Sequence, residues 1–303
     1  MNLGMLDLHG RVRAFSDGKL LWDRPNKITT LGRKALLAAM ARKDEIEQTD
    51  SDTWFHGCGS NWRFNPESWI SCYAFGNGGA LTTENAVIPA ATSMADLNMY
   101  HIVPLRLKGD YNQQYDLSEY VDLPLTKRKD PDHGLDPGRS SEDKDYTLSR
   151  LTTTSVDDLD PNNCVYFKRL ESVDMGVKEI HTTSTSLIDA SASRIGVHSL
   201  ETAVATFKLK ISEKDLQRVF PEDATDAQKE AIVSNSKINE LSLYIAAIEK
   251  EENVYAPYKF KKITEGSTSW NTLPIQFSHI TFPTENFFGN STKDIDLEYY
   301  VFA

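Results

Sequence analysis

Apolar and polar residues alternate one by one in several segments of this chain. The alternation is clearest over residues 207–211, 241–245 and 295–301, and residues 164–170 form a further run typical of a strand. Successive side chains of a β-strand point to opposite faces, so a period of two predicts strands that bury one face. In the last segment the second face changes from acidic to aromatic residues, and we expect another part of the protein to cover it.

The composition favours the same fold class. Aromatic residues make up 10% of the 303 residues, and Ser and Thr recur throughout, which favours strands and turns over helices. No window approaches about 18 consecutive apolar residues, so we expect no membrane span. The sequence therefore predicts a mainly β protein, with a β-sandwich-like core, two or three short helices and a long loop-rich insertion.

Helix signals are confined to short stretches. A run of strong helix formers predicts a helix at about residues 30–41, with Thr29 or Thr30 as its cap. A second helix is predicted over residues 226–233, because residues with the spacing of a capping box precede it. Residues 212–220 add a further predicted turn of helix.

One charged segment divides the chain. Residues 127–145 have the sequence KRKDPDHGLDPGRSSEDKD, with almost no apolar side chain to offset the entropy of ordering. We expect an exposed loop or linker there, although both flanking parts can still share one sheet. The predicted organisation is an N-terminal part of the sandwich core (1–126), the charged linker (127–145), an insertion or loop-rich module (146–195) and a C-terminal part of the core (196–303).

Charge and cysteine content limit the partners and the compartment. The formal net charge is −11, from 33 basic and 44 acidic residues, and such a surface repels phosphate backbones. We therefore expect no nucleic-acid partner. The three cysteines are too few for a disulfide framework and favour a reducing compartment. The N-terminus lacks the pattern of a secretory signal, so the expected site of folding is a cytoplasm.

Two sets of segments resemble a pattern found in tail, baseplate and neck proteins of tailed bacteriophages. In the first set, a strand is followed by an N-x-[IV]-T-x-x-G-[KR] motif that leads into a helix. After an interval comes a hydrophobic strand that ends in a glycine loop. The second set begins with a strand similar to [IV]-x-E-[IVL]-G-L-[YF], with Ser242 where glycine is commoner, and two more strands follow. The segments concerned are 18–22, 26–37, 70–80, 82–89, 92–97, 238–245, 254–260 and 273–282.

The resemblance covers roughly residues 10–125 and 195–303. It implies a non-enzymatic structural subunit of a virion, assembled in the host cytoplasm, whose partners are copies of itself and other virion structural proteins. A tail or baseplate component is the first expectation. A neck or collar subunit at the head–tail junction and a tail module that binds a host receptor or surface glycan are the alternatives. The long middle of this chain departs from the family's compact form.

Motifs for catalysis or cofactor binding are weak in this sequence. The glycines of residues 76–79 lack the spacing and the Lys-Ser/Thr of a phosphate-binding loop, and a turn between strands is expected. Residues 130–136 lack the order of ligands in a calcium loop. His56, Cys58 and Cys72 lack a fourth zinc ligand at a familiar spacing. Carboxylates are plentiful, but their spacing selects no catalytic pair, so we expect no catalytic residue, cofactor or metal.

Interface residues are predicted from aromatic clustering and from the charged loop. Three tryptophans fall within sixteen residues of each other, as in a subunit interface or a sugar-stacking platform. The candidates are Trp54, Trp62, Trp69, Asp130, Asp132, Asp136, Tyr299, Tyr300 and Phe302. Glu240 precedes Leu241 and Leu243 and therefore points away from them. It is expected to face solvent, or else to meet a basic group or a neighbouring subunit.

Overall fold

A computed structural model describes most of the chain in separate ranges. These are residues 9–40, 62–63, 65–83, 86–94, 99–103, 105–107, 112–113, 116–122, 127–129, 143–145, 164–182, 198–212, 215, 237–265, 267–272, 274–286 and 294–302. The predicted helix over residues 226–233 lies outside them, as does most of the predicted turn over residues 212–220. Asp215 has helical backbone conformation.

The described elements are one helix and a series of strands, which confirms the mainly β fold class. The helix α1 spans Thr30–Met40. The strands are β1 (His9–Ser16), β2 (Lys19–Ile28), β3 (Trp62–Arg63), β4 (Trp69–Gly76), β5 (Ala80–Thr82), β6 (Val87–Pro89), β7 (Arg106–Leu107), β8 (Tyr120–Asp122), β9 (Lys127–Lys129), β10 (Asp143–Asp145), β11 (Cys164–Val165), β12 (Phe167–Arg169), β13 (Val173–Thr182), β14 (His198–Ser212), β15 (Lys237–Ala246), β16 (Ile248–Glu249), β17 (Tyr258–Phe260), β18 (Ile263–Glu265), β19 (Thr268–Thr272), β20 (Ile275–Asn286) and β21 (Asp294–Phe302).

A single 12-stranded sheet contains most of these strands. Its order is β13-β14-β21-β1-β2-β20-β15-β4-β12-β8-β17-β16. Strand β2 belongs to both halves, because its first part pairs with β1 and its last two residues, Lys27 and Ile28, pair with β20. We call β13 to β2 the first layer and β20 to β16 the second layer.

The two layers face each other across the hydrophobic core. Trp22 of the first layer stacks on Phe282 of the second, with ring centroids 4.6 Å apart. The hydroxyl group of Tyr73 in the second layer hydrogen-bonds to the backbone of Lys210 in the first. Buried and more exposed residues alternate along β14 and β21, as the period of two predicts, whereas β15 and most of β4 are buried on both faces. This packing gives a sandwich-like arrangement from one sheet that continues through β2.

Helix α1 begins where the sequence predicts and packs on the second layer. The side-chain oxygen of Thr29 accepts a hydrogen bond from the backbone N–H of Gly32 at 2.9 Å, as an N-cap residue does. The same hydroxyl donates to the carbonyl of Gln276 at 2.6 Å, which ties the cap to β20. Ala35 and Ala38 of this helix are buried. None of the helical segments among the described residues has the length and apolar character needed to cross a membrane.

The charged segment over residues 127–145 has strands at both ends. Strands β9 and β10 pair antiparallel, with Lys127 opposite Asp145 and Lys129 opposite Asp143. The expectation of a plain loop did not include this pairing. The residues between these strands lie outside the described ranges.

The glycine run after β4 separates two strands, as predicted, but for a different physical reason. Positive φ among the described glycines occurs at Gly18. At Gly76, a Cβ atom would lie 2.4 Å from the carbonyl oxygen of His101 and 2.5 Å from Glu240 Oε2. Gly76 therefore allows the segment that follows β6 to pack closely on the second layer.

Candidate functional site

The predicted aromatic interface residues lie in different environments. Trp69 opens β4 and is 47% exposed, so its ring is open to contact from outside the chain. Trp62 lies in β3, which pairs with β19, and its side chain is outside the described set. Trp54, Asp130, Asp132 and Asp136 also lie outside the described residues. Of the three tryptophan side chains, the structure describes that of Trp69, and the predicted tryptophan cluster stays a prediction.

The C-terminal aromatics lie along β21, between β1 and β14. Tyr299 is fully buried, and its ring meets Phe207 edge to face with centroids 6.2 Å apart. Tyr300, on the other face, is 7% exposed and has the guanidinium group of Arg13 over its ring. Both side chains pack within this chain rather than forming an open surface. Phe302 ends β21, and its side chain is not among those described.

A hairpin of β13 and β14 carries exposed apolar side chains that continue a row from the core. Strand β21 pairs with β14 from Ser212 to Val204, whereas the rest of β14, residues 198–203, pairs with β13 alone. The hairpin therefore extends past the end of β21. We call residues 173–182 and 198–205 the hairpin arm.

The core-facing side of the hairpin arm continues into solvent. Val173 lies opposite Phe207, which is buried, and the next residues on the same face are Met175 and Val177. Met175 is 74% exposed and Val177 is 67% exposed, although they continue the row that starts in the core. An apolar row that begins inside a core and continues uncovered is typical of a surface for protein–protein contact.

Exposed apolar side chains lie on both faces of the small hairpin of β5 and β6. Leu81 pairs with Ile88, and Thr82 pairs with Val87. The side chains of Leu81, Val87 and Ile88 are all exposed. This hairpin is anchored to the second layer, because Thr281 donates a hydrogen bond to the carbonyl of Ala90 at 2.5 Å.

A polar cleft opens between the two layers near the connection from β12 to β13. It has a volume of about 170 Å³ and is lined by Tyr73, Glu119, Lys168, Arg169, Glu171, Lys208, Lys210 and Ser212. Residues of both charges line it, and Lys208 is paired with Asp174 at 3.2 Å. Tyr73 satisfies both the N–H and the carbonyl of Lys210 at this edge of β14. The Tyr73 hydroxyl thus satisfies backbone groups of β14 at a position that lies beyond the pairing with β13.

Asp215 is hydrogen-bonded to two of the residues that line this cleft, Lys168 and Ser212, and so joins both layers. Its carboxylate accepts hydrogen bonds from Lys168 at 3.1 Å, from the backbone N–H of Ser212 at 2.7 Å, and from the hydroxyl of Tyr120. Burial acts to raise the pKa of Asp215, but the Lys168 ammonium and the hydrogen bonds lower it by more, so the pKa lies below its usual value. The same burial, with the Asp215 charge, raises the pKa of Tyr120. The cluster fixes charges in place and leaves the carboxylate ionised.

Glu240 and His279 form a second buried charged centre. His279 donates from Nε2 to Glu240 at 2.7 Å, and neither side chain is exposed. The backbone N–H groups of Tyr100 and His101 also donate to the carboxylate, at 2.5 and 3.2 Å. The expectation that Glu240 faces solvent is wrong, because residues 99–103 cover this face of β15. The expected direction away from Leu241 and Leu243 is confirmed, and a basic residue does meet it.

The sequence analysis did not predict the Asp215 centre, although that centre has a local signal, and it singled out Glu240 without identifying His279 as its partner. Ser212 and Asp215 have the S-x-x-D spacing in which an acidic side chain reaches back to the N-cap N–H, and this bond is present. His279 has no such signal, because its partner is distant in sequence. The described residues contain no group of three or more His, Cys, Asp or Glu side chains arranged to hold a metal ion.

Comparisons with protein-family models, with curated proteins and with solved structures find no match to this chain.

Proposed function

We propose that this protein is a non-enzymatic structural subunit of a tailed-phage virion, a component of the tail or baseplate that acts by assembly. The observation that carries the assembly part is the hairpin arm. Met175 and Val177 continue the core-facing row into solvent, and covering them with a neighbouring subunit removes apolar surface from water.

The virion part of the proposal comes from the resemblance in the sequence. Four of the segments that carry it are neighbours in the fold, since β2, β20, β15 and β4 are consecutive in the large sheet. Helix α1, which follows β2, packs on β20 through the close approach of Gly32 to Phe277. These four segments, which are distant in sequence, form one contiguous unit and support the proposal, whereas residues 254–260 include β17, which lies apart from them between β8 and β16.

Labelling of particles tests the proposed function. An antibody against this chain, applied to phage-like particles from the source, is expected to mark one fixed position on the tail. Its control is the same antibody after adsorption with the purified protein, which must abolish the label. Particles that contain the tail proteins but never bind the antibody, and that lack peptides of this chain by mass spectrometry, would contradict the proposal.

A further inference from the structure

Strand β13 is an edge strand of the large sheet. It spans ten residues, and among the described strands it has a neighbour on one side only, β14. Its register with β14 runs from Val173 to Thr182 without a shift, and it contains no proline. Natural proteins usually protect such edges with a bulge, a proline or a short strand, because a free edge accepts another strand. Among the described residues, this long regular edge carries no paired strand and has the geometry for strand addition.

The sequence of β13 is complementary to itself when two copies run antiparallel. A two-fold axis normal to the sheet keeps the same face upward in both copies. If the axis passes through Gly176, Met175 lies opposite Val177 of the second copy, and Asp174 lies opposite Lys178 of the second copy. Opposite charges and paired apolar residues at directly facing positions both stabilise strand pairing. A Cβ atom at Gly176 would meet nothing within 4 Å, so the described residues leave the face of β13 uncovered at the centre of this register.

The neighbouring symmetric registers are less favourable. With the axis at residue 175, Asp174 would face Gly176 and lose its charged partner. With the axis at residue 177, Asp174 would face Ile180 and Lys178 would face Gly176, so neither would have a charged partner. With the axis at Lys178, that lysine would face its own copy. The register centred on Gly176 is the one that matches both the apolar pair and the charge pair.

We propose that a second copy of this chain binds along β13, antiparallel and centred on Gly176, so that the two large sheets become continuous. This inference rests on the proposed function and specifies the partner at the hairpin arm. Asp174 is free to change partners at little cost, because its ion pair with Lys208 joins two largely exposed side chains. Pairing of one strand gives an interface below the standard size, so the dimer is expected to depend on protein concentration.

Sedimentation velocity over a range of protein concentrations tests this register with a charge exchange. Asp174→Lys or Lys178→Asp places like charges opposite each other at both symmetric positions, and each is expected to reduce the association constant by on the order of tenfold. The double variant Asp174→Lys/Lys178→Asp restores opposite charges and is expected to recover association. Lys208→Gln, which removes only the intramolecular partner of Asp174, is expected to leave it unchanged.

Each outcome supports or overturns the inference independently of the virion proposal. Recovery in the double variant supports the register. A protein that stays monomeric at every concentration, or an association constant that is the same in all the charge variants, would overturn this dimer. The labelling of particles tests the proposed function separately. Thermal unfolding of each variant at low concentration shows whether the fold is retained. Val177→Lys gives a second check, because a charge in the apolar pair is expected to weaken association while position 177 stays exposed in the monomer.

Discussion

Asp215 is the residue on which the junction of the two layers depends most directly. Its carboxylate is fully buried and is held by Lys168, Tyr120 and the backbone of Ser212. A buried ion pair contributes little compared with a well-packed apolar pair, but the loss of one partner leaves the other charge buried and uncompensated. The position of Asp215 is therefore far more sensitive to substitution than an exposed acidic residue.

We predict that Asp215→Asn lowers the free energy of unfolding by about 2–4 kcal/mol near neutral pH, because the buried Lys168 then keeps only the half-exposed Glu119, at 3.6 Å, as a charged partner. Urea unfolding measures this change. Asp174→Asn is the matched control, since that exposed side chain is expected to change stability by no more than about 0.5 kcal/mol. Equal stability of the two variants would show that the buried pair does not stabilise the junction.

The pH dependence of this effect has a definite sign. The pKa of Asp215 in the folded state lies below its ordinary value, so its contribution is fully present above the unfolded pKa of about 3.9. The contribution is lost as pH falls through the folded-state value. The stability difference between the wild type and Asp215→Asn should therefore be constant from about pH 5 to 7 and shrink below about pH 4. A difference that grew on acidification would contradict the assignment.

Single residues also show where sequence reasoning reaches its limit. The period of two correctly predicted which way Glu240 points, because that depends only on its neighbours in β15. It did not predict that Glu240 is buried, since the covering residues 99–103 and the partner His279 are distant in sequence. Tyr299 was predicted as an interface residue for a similar reason: an aromatic pattern does not state which surface covers it.

Helix α1 is the element whose placement is most closely fixed by contacts of its backbone. The cap at Thr29 bonds both to the helix and to β20. At Gly32, a Cβ atom would lie 2.6 Å from both Cα and the carbonyl oxygen of Phe277. The helix can therefore lie this close to β20 only because residue 32 is a glycine, whose side chain is a hydrogen atom.

We predict that Gly32→Ala destabilises the protein by about 1–3 kcal/mol, because the helix must move away from β20. The sign is informative, since alanine is favoured over glycine within a helix by about 1 kcal/mol. Gly176→Ala is the matched control, and at low protein concentration it should be neutral or stabilising by roughly 0.5–1 kcal/mol. Urea midpoints compare the two, and a more stable Gly32→Ala would rule out the close contact.

At this scale the sequence predicts elements better than their partners. The helix at Thr30–Met40 and the strands β14, β15 and β21 appear where periodicity and capping place them. The hairpin β9–β10 was missed, because its composition suits a solvated loop and only the pairing of opposite charges indicates strands.

The whole molecule is organised by pairings between distant segments. Strand β2 joins β20 through Lys27 and His279, and β21 closes between β1 and β14. Alternation specifies which face of a strand is buried but not which strand lies beside it, so the strand order was beyond sequence reasoning. The candidate surface was also beyond it, because the exposure of Met175 and Val177 follows from where β21 ends.

Cross-linking mass spectrometry of intact phage-like particles tests the central claim, that this chain acts by assembly through its hairpin arm. Lys208 is exposed beside that arm and suits an amine-reactive cross-linker. We predict that purified particles contain peptides of this chain and that Lys208 forms intermolecular cross-links to a second copy or to another virion protein. Particles without this chain, or with cross-links only from surfaces remote from the hairpin arm, would contradict it.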